Sequence, residues 1–173
     1  MYYELDGQLQ EIKRQLRQPN GYPFDPAQLK LHLQVAVEGR FEVVSGNFRL
    51  DKRKDGWTLL ENSARRISSA INGISFLKKD EGCVNGEELI RRARTELNAN
   101  YGQEDAEWLL ENQDKIPAEL RKYYLVFPGT IWRSRRVYQF VQCLFWRGDR
   151  WSPGFRWLGY GWFSDGRLVV PRK

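Results

Sequence analysis

Between residues 4 and 17 apolar side chains fall at Leu5, Leu9, Ile12 and Leu16, a spacing that draws one stripe along a helix. Pro19, Asn20, Gly21, Pro23 and Pro26 then break the chain, which marks a turn or linker. Asp25 before Pro26 reads as an N-cap with proline at the first helical position, where its missing N–H has no helical partner to lose. The second helix carries Leu29, Leu33, Ala36 and Val37 on one face and ends at Gly39. Residues 40–50, with Phe41, Val43 and Val44 before Ser45, Gly46 and Asn47, predict a strand and a turn. Residues 57–71 fit either a helix or short strands, and the Ser/Asn/Gly punctuation inclines the reading to strands.

The next pattern is sharper. Asn85 with Glu88 three residues on is a capping box, and Leu89, Ala93 and Leu97 repeat every fourth position, so a helix follows. Glu87 with Arg91 and Glu88 with Arg92 read as surface ion pairs one turn apart. A second amphipathic helix sets Ala106, Leu109 and Leu110 on one face and Glu104, Glu107 and Glu111 on another, an acidic face placed to answer a basic tail. After a turn near Pro117, a strand from Tyr123 to Phe127 is interrupted by Pro128 and Gly129. Residues 137–146 are apolar on both alternating faces, which predicts a central strand covered on both sides. Residues 151–158 make its return strand, with Pro153 and Gly154 at a bulge or an edge. Trp162 and Phe163, a Ser164-Asp165-Gly166-Arg167 turn and Leu168, Val169 and Val170 predict a last hairpin. The expected fold is α+β: N-terminal helices, a mixed middle with two amphipathic helices, and a C-terminal antiparallel β-meander of four or five strands. It divides into a helical element over 1–40 and an α+β domain over 41–173 whose sheet occupies 123–173.

Charge changes the picture in one place. The last 51 residues hold 14 of the 24 aromatic residues and five of the seven tryptophans. There, eight arginines and Lys173 face only Asp149 and Asp165, a net of +7, whereas the preceding 122 residues sum to −1. Arginines interleave with aromatics through Arg133, Arg135, Arg136, Arg147, Arg150, Trp151, Arg156, Trp157 and Arg167. Such a surface suits RNA or single-stranded DNA, because exposed rings stack unpaired bases while guanidinium groups hold phosphates. The competing reading is structural: aromatics on a two-faced sheet form its core, and arginine stems cover their edges. A second functional reading is a protein-interaction module with an aromatic groove. The Leu5, Leu9, Ile12, Leu16 stripe is too short for a coiled coil and reads as packing on the rest of the molecule, with a protein partner or self-association as the alternative. The Lys52-Arg53-Lys54 run reads as a solvated loop.

Catalytic patterns are scarce. The chain has no Gly-x-x-x-x-Gly-Lys loop, no Gly-x-Gly-x-x-Gly and no clustered zinc ligands, so neither cofactor nor metal is expected. His32, the single histidine, stands without a nucleophile at a telling spacing. A paired-carboxylate enzyme needs only two acids and stays open as a third reading, with a non-enzymatic module preferred. Cys83 and Cys143 read as buried, reduced thiols. Apolar runs are far below the ~20 residues of a membrane span, and the acidic, polar start is unlike a secretory signal. A cytoplasmic protein with no membrane partner is expected.

Gly56-Trp57, Gly86-Glu87-Glu88-Leu89, Leu97-Asn98-Ala99-Asn100, Leu109-Leu110, Ile116-Pro117-Ala118-Glu119-Leu120, Phe127-Pro128-Gly129-Thr130-Ile131-Trp132-Arg133, Leu144-Phe145-Trp146 and Trp157-Leu158 run in an order that resembles a family of short, Trp-rich bacterial proteins of unknown function. The likeness covers about residues 56–173, with Gly21-Tyr22-Pro23-Phe24-Asp25-Pro26 also similar. It implies that 56–173 is one unit and brings no activity, ligand or catalytic residue with it.

Overall fold

The computed structural model describes residues 44–172, together with Gln10 and Arg14. The helical element over 1–40, its apolar stripe, the Asp25-Pro26 helix and His32 lie outside the described residues. So does the first part of the strand expected over 40–50; its remainder, 44–50, is irregular.

The described chain is α+β, with two α-helices against a mixed six-stranded sheet. The strands are β1 (Thr58–Glu61), β2 (Ile71–Ile74), β3 (Cys83–Val84), β4 (Tyr124–Arg133), β5 (Gln139–Arg147), β6 (Arg150–Trp157), β7 (Trp162–Phe163) and β8 (Gly166–Pro171). Helix α1 spans Gly86–Thr95 and α2 spans Gln103–Glu111. The main sheet runs β2-β8-β4-β5-β6, and β1 pairs with the far end of β4. Residues 57–71 thus contribute strands and no helix, as the punctuation suggested.

Alternation of side chains across the sheet builds two cores. On one face Tyr124, Val126, Val141, Cys143 and Leu168 pack with Leu89 and Ala93 of α1. On the other, Leu125, Phe127, Leu144 and Val169 pack with Ala106 and Leu109 of α2. β5 is therefore covered on both sides, as its doubly apolar pattern requires. Antiparallel pairing joins β4 to β5 and β5 to β6.

The expected meander stops there. β8 returns across the sheet to pair in parallel with β4 and antiparallel with β2. β7 leaves the main sheet to pair with β3, Trp162 opposite Val84, so the last hairpin does not form. Trp162 is fully buried in the α1 core, and that burial outweighs the local turn chemistry of Ser164 and Asp165. Pro128 and Gly129 do not end a strand either. They lie within β4, where the ladder to β5 slips between Phe127 and Ile131. The freed Gly129 N–H donates to Tyr101 O at 2.8 Å, and Gly129 O accepts from Ser63 N at 2.8 Å. Cys143 is buried as expected, but Cys83 is exposed on the short β3.

The acidic face of α2 does not answer the basic tail. Glu107 accepts the main-chain N–H groups of Arg49 and Leu50 at 2.8 and 3.0 Å, and Glu104 that of Asn47 at 3.2 Å. These carboxylates anchor the irregular segment ahead of β1. Gln103 completes the anchor from within the core: its Nε2 donates to Glu107 at 2.8 Å, and its Oε1 accepts the indole N–H of buried Trp132 at 2.7 Å.

Candidate nucleic-acid interface

Strand geometry decides which of the nine sequence candidates can share a ligand. β5 is nine residues long, so its ends stand roughly 27 Å apart at about 3.4 Å per residue. The β4–β5 turn, at one end, carries Arg133, Arg135 and Arg136, all exposed. The β5–β6 turn, at the other end, carries Arg147 and Arg150, opposite one another in register and exposed. The candidates form two groups, and no single small site.

Three members drop out of a ring-and-guanidinium platform for separate physical reasons. Trp151 is only 3% exposed, with its main-chain N–H held by Gln113 Oε1 at 2.8 Å, so no face of its ring is open to a base. Arg156 points to the α1 side of the sheet and rests on the rings of Tyr124 and Trp162, at 4.8 and 5.2 Å. Arg167 lies over Tyr123 at 3.7 Å and donates to Ser164 O and Gly166 O at 2.6 and 2.7 Å. For Arg156 and Arg167 the arginine-over-aromatic reading holds.

Trp157 remains, and it gathers residues that the sequence did not single out. Its ring centroid is 5.0 Å from Tyr138 and 4.8 Å from Tyr160. Tyr138 is 47% exposed and Tyr160 59%, so both rings present a free face. Tyr138 had been placed in a covered strand. The structure puts it in the β4–β5 turn, closed by Ser134 N–H donating to Tyr138 O at 2.9 Å, with Val137 in the left-handed region at φ 60°. Tyr160 sits between two glycines, a cue to an exposed turn that ring-and-arginine counting passed over. Beside Trp157 and Tyr138 a cleft of about 460 Å³ opens at the N-terminus of α1, bordered by Asn85, Glu87 and Gln139.

Lys52, in the run that reads as a solvated loop, pairs with Asp55 within that loop at 2.7 Å and also reaches the sheet. Its ammonium lies 5.4 Å from the Trp57 ring and 5.1 Å from Phe155, while Trp57 packs on Phe140 at 4.7 Å. Arg53, in the same run, is held by Asp51 at 2.8 Å, whose carboxyl this contact lowers from its ordinary value.

The two ends of the described chain treat arginine differently. In α1, Arg91 pairs with Glu88, Arg92 with Glu81 and Glu88, and Arg94 with Glu61. Arg92 is buried while Glu81 and Glu88 stay partly exposed, so the pair read as surface support is half-buried, and Arg92 also donates to Phe76 O at 2.8 Å. Glu87, expected opposite Arg91, gives way to Glu88 there. By contrast Arg133, Arg135, Arg136, Arg147 and Arg150 make no ion pair with any described residue.

Two buried groups are held in their neutral forms. Burial pushes the Cys143 thiol up, with Arg156 opposing, and burial holds Tyr124 at about 12. Among the described residues no group of three or more His, Cys, Asp or Glu is placed to hold a metal ion. No helix among them is long and apolar enough to cross a membrane. No family model matches the chain, and no curated protein or solved structure matches it either.

Proposed function

We propose that this protein is a non-enzymatic, cytoplasmic binding module that holds RNA or single-stranded DNA on the β4–β5 turn. The observation that carries the reading is the juxtaposition of three exposed guanidinium groups without carboxylate partners among the described residues, Arg133, Arg135 and Arg136, with the exposed rings of Tyr138 and Tyr160 on either side of the half-buried Trp157. Each part suits one half of a nucleotide: arginine meets phosphate, and the ring stacks a base at about 1–3 kcal/mol. No base-edge readout is implied, so sequence preference should be weak.

A specific observation also favours a protein partner: Val137, Tyr160 and Phe163 expose 74, 59 and 49% of their surface. Salt separates the two readings, because phosphate binding releases counterions and weakens steeply as salt rises, whereas apolar docking responds little. The test is fluorescence anisotropy of a mixed RNA and single-stranded DNA pool at low and raised salt. Wild-type protein should bind and be released by salt. Arg133→Ala with Arg135→Ala and Arg136→Ala should weaken binding by at least about tenfold and flatten its salt dependence. Tyr138→Ala should weaken it at every salt concentration, with circular dichroism confirming the fold. Absence of binding at low salt, or binding that salt does not touch, would sink the nucleic-acid reading.

A further inference from the structure

β6 is the last strand of the sheet among the described residues, so one of its sides has no strand neighbour among them. Its parity follows from the hydrogen bond that Leu158 N–H donates to Gln139 O at 2.9 Å. Counting back by twos along the antiparallel ladder, Arg156, Gly154 and Ser152 turn their main-chain groups to β5, and Trp157, Phe155, Pro153 and Trp151 turn theirs outward.

The outward groups are closed at both ends and open in the middle. At Trp151 the Gln113 amide stands in for a strand: Oε1 accepts the N–H at 2.8 Å and Nε2 approaches the carbonyl at 3.4 Å. At the other end Tyr160 N–H donates to Trp157 O at 3.3 Å. Pro153 has no N–H to offer. Between these stops, the Pro153 carbonyl, both main-chain groups of Phe155 and the Trp157 N–H meet no partner among the described residues.

A groove of about 440 Å³ runs beside this window, lined by Phe140, Phe145, Phe155, Arg156, Trp157 and Tyr160. Its walls come from both faces of the sheet. Phe155 and Trp157 belong to one face with Phe140, and Arg156 belongs to the other with Phe145, whose ring lies across Gly154, where a side chain would strike it. A groove that touches both faces of one strand lies along its free edge. Among the described residues Arg156 has no carboxylate partner, its Nε is buried without an acceptor, and its Nη2 reaches only Gly161 O at 3.4 Å.

We infer that the open edge of β6 receives a short extended peptide from a partner protein, paired to Phe155 and Trp157 through the main chain. Its residues alternate between apolar side chains against Phe155 and Trp157 and acidic ones against Arg156. Added strands gain affinity from main-chain hydrogen bonds and specificity from every second side chain, which is the pattern these walls present. This edge adjoins the arginine-bearing turn and shares Trp157 and Tyr160 with it.

The test is amide exchange in ¹⁵N-labelled full-length protein, titrated with a synthetic peptide alternating glutamate and phenylalanine. Controls are a block-ordered peptide of the same composition and two versions methylated at alternate main-chain nitrogens, one in each phase. Exchange at Phe155 and Trp157 should slow by at least about tenfold with the alternating peptide, which reports local protection. Only one methylated phase should bind, because an extended strand turns every second N–H toward its neighbour. Equal binding of both phases, equal binding of the block peptide, or no change at either amide overturns the inference. So does slow exchange of both amides in the free protein, since this chain or a second copy would then already occupy the edge.

Discussion

Asp105 carries more of the middle segment than any apolar residue beside it. Fully buried in the first turn of α2, it accepts the N–H groups of Arg66, Ile67 and Gly102 at 2.6, 2.8 and 3.0 Å. Asp105→Ala leaves two buried donors and one half-buried donor unsatisfied. At about 1–3 kcal/mol for each orphaned group, the variant should lose about 3 kcal/mol or more in urea denaturation. Asp105→Asn keeps one acceptor oxygen and should fall between the two. A loss within about 0.5 kcal/mol for Asp105→Ala would show that water reaches these donors. The sequence marked Asp105's neighbours Glu104 and Glu107 as a charged face, and the reason it went no further is physical. A carboxylate's partner can be a main-chain N–H, which every residue carries, so no residue type announces the pairing. Asn85 was legible because its partner, the Glu88 N–H at 2.8 Å, lies one turn away in a pattern of residue types.

At the scale of elements, α1 was readable from its cap and four-residue periodicity and α2 from its apolar and acidic faces, which are local properties. β7 and β8 were readable as strands but not in their pairing, because strands take their partners from anywhere in the chain. Trp162 and Phe163 carry the same alternation whether they pair with β8 next door or with Cys83 and Val84. The ion-pair network of α1 was half legible: Glu88 with Arg92 was in the spacing, but Glu81, ahead of the helix, was not. That network makes the stability of α1 dependent on pH. The Arg92 hydrogen bond, helped by Lys78 N–H, holds the Glu81 carboxyl at about 2, below its ordinary 4.5. Arg91 and then Arg92 hold Glu88 at about 2 as well. Carboxyls depressed by folding stabilise the native state above their ordinary value, and that contribution is lost as pH falls from about 4.5 to about 2. Urea midpoints should therefore drop through this acid window and stay level above it. Arg92→Met removes the Glu81 half of the effect while keeping an unbranched stem among its buried neighbours, so its acid slope should be shallower. An unchanged slope would place the titrating groups elsewhere.

At the scale of the whole molecule, the tail's charge was plain in the sequence but its division was not, because distance along a strand becomes distance in space only once the strand is placed. The two clusters at the ends of β5 make a prediction that a uniform basic surface would not. Salt slopes count the phosphates neutralised, at about −0.7 per phosphate for single strands. An oligonucleotide too short to span the roughly 27 Å of β5 can engage Arg133, Arg135 and Arg136 alone, for a slope of about −2. A longer strand that also reaches Arg147 and Arg150 neutralises five charges, for a slope of about −3.5. Slope measured against oligonucleotide length should rise in a step, and Arg147→Ala with Arg150→Ala should remove the step while leaving short-strand binding intact. A smooth rise with length, unaffected by that pair, would mean that the whole basic face acts as a diffuse field and that the β4–β5 turn has no privileged role.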